Sequence, residues 1–154
     1  MGFDVTLTMT GHTTDVTWAI YKLLEDNKES FNIRQVFDGD RIVIPETPVI
    51  CVTAGDKRRE LYATGRTTRV EFTVYVMIYH KRIQTVEKND REAQELAEAL
   101  EDFLHLFENS TLDGLVIHGY VTRSEPGYAN RSNSVMRTTR LTWEGESRHS
   151  LPMS

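Results

Sequence analysis

The residue types able to carry chemistry are five histidines (His12, His80, His105, His118 and His149), one cysteine (Cys51) and a run of carboxylates between Asp90 and Glu108. No two histidines stand at metal-ligand spacing on one helix, and Cys51 offers them no nearby thiolate partner. Cys51 lies in the apolar run 48–52, where a thiol reads as a small hydrophobe in the core rather than a nucleophile. A serine nucleophile wants a Gly-x-Ser-x-Gly elbow, and none is present. The nine glycines are scattered, with no Gly-rich turn ahead of a helix to cradle a phosphate. An enzyme would have to assemble its site from dispersed residues, with His80, His118 and Glu71 as the candidate members. The expectation is a protein without catalytic residues, cofactor or metal.

Charge is the more informative signal. Residues 90–108 hold seven acids and one base, a local net of −6 in a chain whose total is −5, so the remainder stands at +1. Paired carboxylates doing acid–base work need a shared, partly dry cleft. Here Glu92, Glu95, Glu98 and Asp102 flank a regular apolar stripe and read as the solvated face of an amphipathic helix. Basic residues gather at Lys57, Arg58, Arg59, Arg66 and Arg69, and again at Arg123, Arg131, Arg137, Arg140 and Arg148. From Asn109 onward every base is arginine, the side chain suited to bidentate pairs with carboxylates at interfaces. Glu125, Glu144 and Glu146 interleave with the second group, which favours protein contacts over phosphate contacts.

The elements that must position these residues follow from periodicity. Val16, Ile20, Leu23 and Leu24 share one face of a helix over residues 15–26, with Thr13 or Thr14 as its cap and Asn27 as its stop. Short strands are expected at 41–44 and 48–53, a turn at 54–56 and an exposed loop at 57–59. Residues 67–80 alternate strictly, with Val70, Phe72, Val74, Val76 and Ile78 on one face, and are long enough to form part of a projecting hairpin. A second helix is capped by Asn89, and Ala93, Leu96, Ala97, Leu100, Phe103, Leu104 and Phe107 form its stripe. Strands at 115–123 and 134–144, joined by a loop at 124–133, complete the fold.

This order makes an α+β protein: an antiparallel sheet, mixed pairing allowed, with two main helices on one face and a long projecting hairpin. At 154 residues it is read as one domain over 1–145, followed by a polar C-terminal tail over 146–154. The longest apolar run, 74–79, is six residues, against the roughly 20 of a membrane helix. The opening Met1-Gly2-Phe3-Asp4 lacks a signal-peptide pattern. An acidic balance disfavours general nucleic-acid binding, although a binding module built on the arginines is a further reading.

Several short segments, taken in order, resemble a known family. They are Val36-Phe37-Asp38-Gly39-Asp40, Ile44-Pro45-Glu46-Thr47-Pro48, Phe72-Thr73-Val74-Tyr75-Val76, Ala97-Glu98-Ala99-Leu100, Leu112-Asp113-Gly114-Leu115 and Leu141-Thr142-Trp143-Glu144-Gly145. With the N-terminal helix, they are similar to tail terminator (tail completion) and neck proteins of tailed bacteriophages. The resemblance implies a virion protein assembled in the host cytoplasm as a homo-oligomeric, hexameric ring. Its partners would be the tail tube protein and a head-side neck or connector protein, with DNA passing through the lumen unbound. Within that class a head–tail connector or stopper is the alternative. Lys57, Arg58, Arg59, Arg66, Arg69, Arg137 and Arg140 are then candidates for subunit or partner contacts, and Glu92, Glu95, Glu98 and Asp102 for an acidic lumen or interface face.

Overall fold

Strict alternation in the longest apolar stretch becomes the middle of a sheet. In the computed structural model, which describes residues 13–44, 46–61, 67–83, 90–131 and 133–150, Thr67–Arg82 form the central strand. Val70, Phe72, Val74, Val76 and Ile78 are fully buried on one of its faces. In chain order the elements are α1 (Thr13–Asp26), a 3-10 turn (Lys28–Phe31), β1 (Gln35–Asp38), β2 (Val49–Leu61), β3 (Thr67–Arg82), α2 (Arg91–Leu104), α3 (Phe107–Ser110), β4 (His118–Arg131) and β5 (Ser134–Ser150). The sheet order is β1-β2-β3-β5-β4, with β1 parallel to β2 and the other neighbours antiparallel.

Cross-strand partners share a face, so the register defines the core. Ile50 pairs with Ile78, Val52 with Val76, Leu141 with Val76 and Trp143 with Val74. Both helices cover that face. From α1 come Val16, Ile20 and Leu24, spaced four apart; from α2 come Ala97, Leu100 and Leu104. Each large apolar side chain moved from water into this layer contributes roughly 1.5–3 kcal/mol. α1 lies over β1 and β2, and α2 over β5 and β4. The architecture is therefore α+β with a mixed five-stranded sheet.

The opposite face is closed by a loop instead of a helix. Gly39, at φ +113°, turns the chain out of β1, and residues 40–44 cross the sheet. Ile44 is buried there among Val49, Cys51, Tyr79 and Met136. Tyr79 Oη donates to Asp40 Oδ1 at 2.9 Å, and Arg131 from β4 holds Asp40 Oδ2 at 3.0 Å and the Arg41 carbonyl at 3.0 Å. Residues 41–44 are thus a strap and not the expected strand.

Further expectations are corrected. Residues 54–59 are neither turn nor loop but part of β2, which passes a bulge between Ala54 and Lys57 and pairs as far as Leu61↔Thr68. Residues 124–131 are not a loop but continue β4, which pairs with β5 as far as Arg131↔Ser134. β5 does not end at 144: it runs to Ser150 against Thr67, which brings 146–150 into the sheet in place of a free tail. Phe107 leaves the α2 stripe, because the helix ends at Leu104 and His105 Nε2 accepts the Val121 N–H at 2.9 Å. α1 begins at Thr13, which puts both threonines inside it. The proposed α2 cap, Asn89, falls outside the described residues, and Asp90 caps the helix by accepting from Ala93 N at 3.1 Å.

Candidate functional site

The basic residues divide into two kinds once they are placed. β1 ends at Asp38, opposite Val52, so beyond that point no strand among the described residues pairs with this edge of β2. Lys57, Arg58 and Arg59 lie on this stretch and are exposed. The Lys57 ammonium sits 5.9 Å from the centre of the Phe72 ring; partial burial, then the neighbouring Arg59 charge, lower its pKa, with Asp15 opposing. Arg66 lies outside the described residues.

The remaining arginines are engaged within the chain. Arg69 reaches Glu60 at 2.6 Å, Glu71 at 2.9 Å and Glu146 at 3.8 Å, joining three strands on the face opposite the helices. Arg140 pairs with Glu125 at 2.9 Å and lies 5.0 Å over the Tyr75 ring. Arg137 is buried beneath α2, 3.4 Å from Tyr128 Oη and 5.5 Å from the centre of that ring. Of the seven basic candidates, the ones that are exposed and have no ion pair among the described residues are the consecutive trio on β2.

Glu92, Glu95, Glu98 and Asp102 are all exposed along α2. Glu98 and Glu101 border a cleft of about 400 Å³ between α2 and the β4–β5 pair, with Arg137 and Thr139 in its floor. The acidic face therefore sits on the β4 side of the sheet, while the basic trio sits on the β2 side.

The dispersed catalytic candidates are only partly gathered. Glu71 and His118 line one shallow pocket of about 230 Å³ with Tyr120, Glu144 and Glu146. His80 is buried on its strand with Nε2 2.8 Å from Thr139 Oγ1, away from that pocket's lining. Burial, reinforced by Arg137 and by Lys81, lowers its pKa to about 4, so it is neutral at pH 7. Cys51 is buried in the strap-covered cluster, and burial, with Asp40 nearby, pushes its thiol up to about 11. No group of three or more His, Cys, Asp or Glu side chains among the described residues has the geometry to hold a metal ion.

Two surface features escaped the sequence reading. Phe107 is 83% exposed and Leu106 50% exposed, at the end of α2. Trp18, 47% exposed, overhangs an apolar groove where β1 leaves β2. Phe107 continues the 3.6-residue spacing of the helix, so only the break at His105 separates it from the core residues. Trp18 falls between Val16 and Ile20, off the core stripe, and that offset was its one signal.

No protein-family model matches the chain, and no curated protein matches it in sequence. Among the described residues no helix is long and apolar enough to cross a membrane.

Proposed function

We propose that the chain is a non-enzymatic structural subunit of a tailed-bacteriophage virion, a tail terminator that forms a ring at the head-proximal end of the tail. The ring stops growth of the tail tube, offers the surface on which the filled head docks, and lets DNA pass through its lumen without specific binding. The observation that carries this reading is the placement of unlike surfaces at opposite sides of one sheet. The basic trio Lys57, Arg58 and Arg59 lies exposed on β2 beyond its pairing with β1, and the acidic face of α2 lies over β4 and β5. Identical subunits with complementary patches on opposite sides associate head to tail, and such contacts form a ring when the rotation between neighbours closes. In this reading Glu92, Glu95, Glu98 and Asp102 face the next subunit's β2 edge. The resemblance of the chain's segments to terminator and neck proteins supports six copies, a tube partner and a head-side partner.

The test needs a tail tube protein encoded near this chain, which the terminator reading requires. Polymerisation of that protein in vitro, with and without the chain, is followed by light scattering and negative-stain imaging. Rings seated on tube ends, with arrested growth, are the expected result. A chain that leaves tube length unchanged and is absent from the ends sinks the terminator reading. Attachment to filled heads instead of tubes moves the ring to the connector or stopper position.

A further inference from the structure

Where β1 stops at Asp38 and Gly39 turns the chain away, no strand among the described residues pairs with that edge of β2 from Thr53 onward. α1 overhangs this gap with Thr17 and Trp18, and Val52, Thr53 and Ala54 form its floor. The result is a mainly apolar groove of about 460 Å³, open to solvent, with Trp18 only half covered. At the other side of the sheet, above β4, Leu106 and Phe107 stand out as an apolar knob. His105 turns there to accept from Val121, which ends the helix and denies Phe107 a place in the core.

One exposed aromatic residue needs no explanation. A knob and a groove on opposite sides of the same sheet, each beside a patch of opposite charge, make a stronger case. Asp102 and Glu108 neighbour the knob in sequence, and Lys57, Arg58 and Arg59 follow the groove on β2. Asp38 borders the groove and Asp56 precedes the trio, but the three consecutive bases outnumber these two acids, so the β2 side on balance fits a knob flanked by acids, and both belong to this chain.

We propose that Phe107 and Leu106 of one copy seat in the Trp18 groove of the next copy, which makes this the contact repeated around the ring. The inference rests on the ring reading above and supplies its interface. Buried aromatic anchors in well-fitted pockets carry most of the binding energy of such contacts, while the flanking charges steer register and association rate. The contact is heterologous: each copy gives its knob to one neighbour and its groove to the other.

The test needs two variants whose altered side chains are exposed, so that folding is unaffected; a far-UV melt checks this. F107S removes the knob and keeps the groove, whereas A54R fills the groove and keeps the knob. Mass is read by sedimentation and light scattering on the full chain at the highest concentration it tolerates. Wild type is expected to exceed one subunit's mass, each variant alone to fall to one subunit, and an equimolar mixture to stop at two. A mixture stops there because only one working knob and one working groove meet. Variants that keep the wild-type mass overturn the inference, leave the groove to a different chain, and leave the ring reading standing. A wild type that stays at one subunit throughout also overturns it, while the ring reading is judged separately by the tube-end experiment.

Discussion

Lys81 Nζ lies 2.8 Å from Asp90 Oδ2, and the other oxygen of the same carboxylate caps α2 through Ala93 N at 3.1 Å. One buried side chain thus ties the end of β3 to the start of the helix that bears the acidic face. The hydrogen bond from Lys81, ahead of the one from Ala93, holds the Asp90 pKa below the usual carboxylate value. D90A loses cap and ion pair together and is expected to destabilise the fold by about 1–2 kcal/mol, read as a lower urea midpoint at pH 7. Because the folded-state pKa is depressed, this stability is complete above the unfolded value near 4 and lost as pH falls through the lower folded value. D90N keeps a cap acceptor without the charge, so its stability should respond less to acid over that window. Equal acid sensitivity in D90N and wild type would contradict the assignment.

His80 produces a second, higher window. Its pKa drops from the ordinary 6.5 to about 4 because burial, Arg137 and Lys81 oppose its charge, with Asp90 only partly compensating. The unfolded chain binds this proton first, so stability is full above about 6.5 and declines as pH falls toward 4. The span corresponds to roughly 3 kcal/mol. H80Q should flatten the midpoint-against-pH curve between those limits. An NMR titration that finds His80 half-protonated near 6.5 in the folded protein would refute the account.

Cys51 is buried, and its thiol, raised to about 11, holds its proton at neutral pH. Thiolate is the reacting species, so a disulfide reagent at pH 8 should label the native chain very slowly and the urea-unfolded chain at the rate of a free thiol. Rapid labelling of the native protein would show that the strap over residues 40–44 opens readily.

Trp143 gives the sharpest packing prediction. Gly119 and Gly145 are paired across β4 and β5, and a methyl group on either would run into the Trp143 ring. Overpacking of this kind usually costs about 1–3 kcal/mol. G119A and G145A should each lower the unfolding free energy by that amount, read as a lower urea midpoint at unchanged slope, and alter the Trp143 fluorescence. A midpoint unchanged from wild type in both would mean the ring is free to move aside.

These glycines also explain where the sequence was readable. Val70 to Ile78 and Val16 to Leu24 repeat at the periods their backbones impose, and they formed the expected elements with the expected faces inward. The failures came where turn-forming residues serve packing instead. Gly55 is in a strand because a side chain there would meet the Tyr75 ring at 2.8 Å, so Ala54-Gly55-Asp56 only imitates a turn. Pro126-Gly127 likewise reads as a loop, yet an edge strand tolerates a proline that a central strand would not. The site suffered in the same way: a strand stretch read as a loop hid the fact that Lys57, Arg58 and Arg59 lie on β2 beyond its pairing with β1. Arg69, Arg137 and Arg140 have the same residue type, and only tertiary pairing separates them from that trio.

That separation is itself testable. R58E/R59E reverses two exposed charges whose loss leaves no described partner stranded, so the melting temperature should stay close to that of wild type. The variant should assemble poorly, because its edge would now repel the acidic face of a neighbour, and higher salt should narrow the difference. Retention on a duplex-DNA column should be the same for both proteins, as a protein interface requires and a phosphate-binding loop does not. R69A is the counterpart: it leaves Glu60 and Glu71 without their shared cation and Glu146 with Arg148 alone, and is expected to lower stability while sparing the β2 edge. If R69A blocks assembly at unchanged stability and R58E/R59E does neither, the two groups of arginines have been assigned the wrong way round.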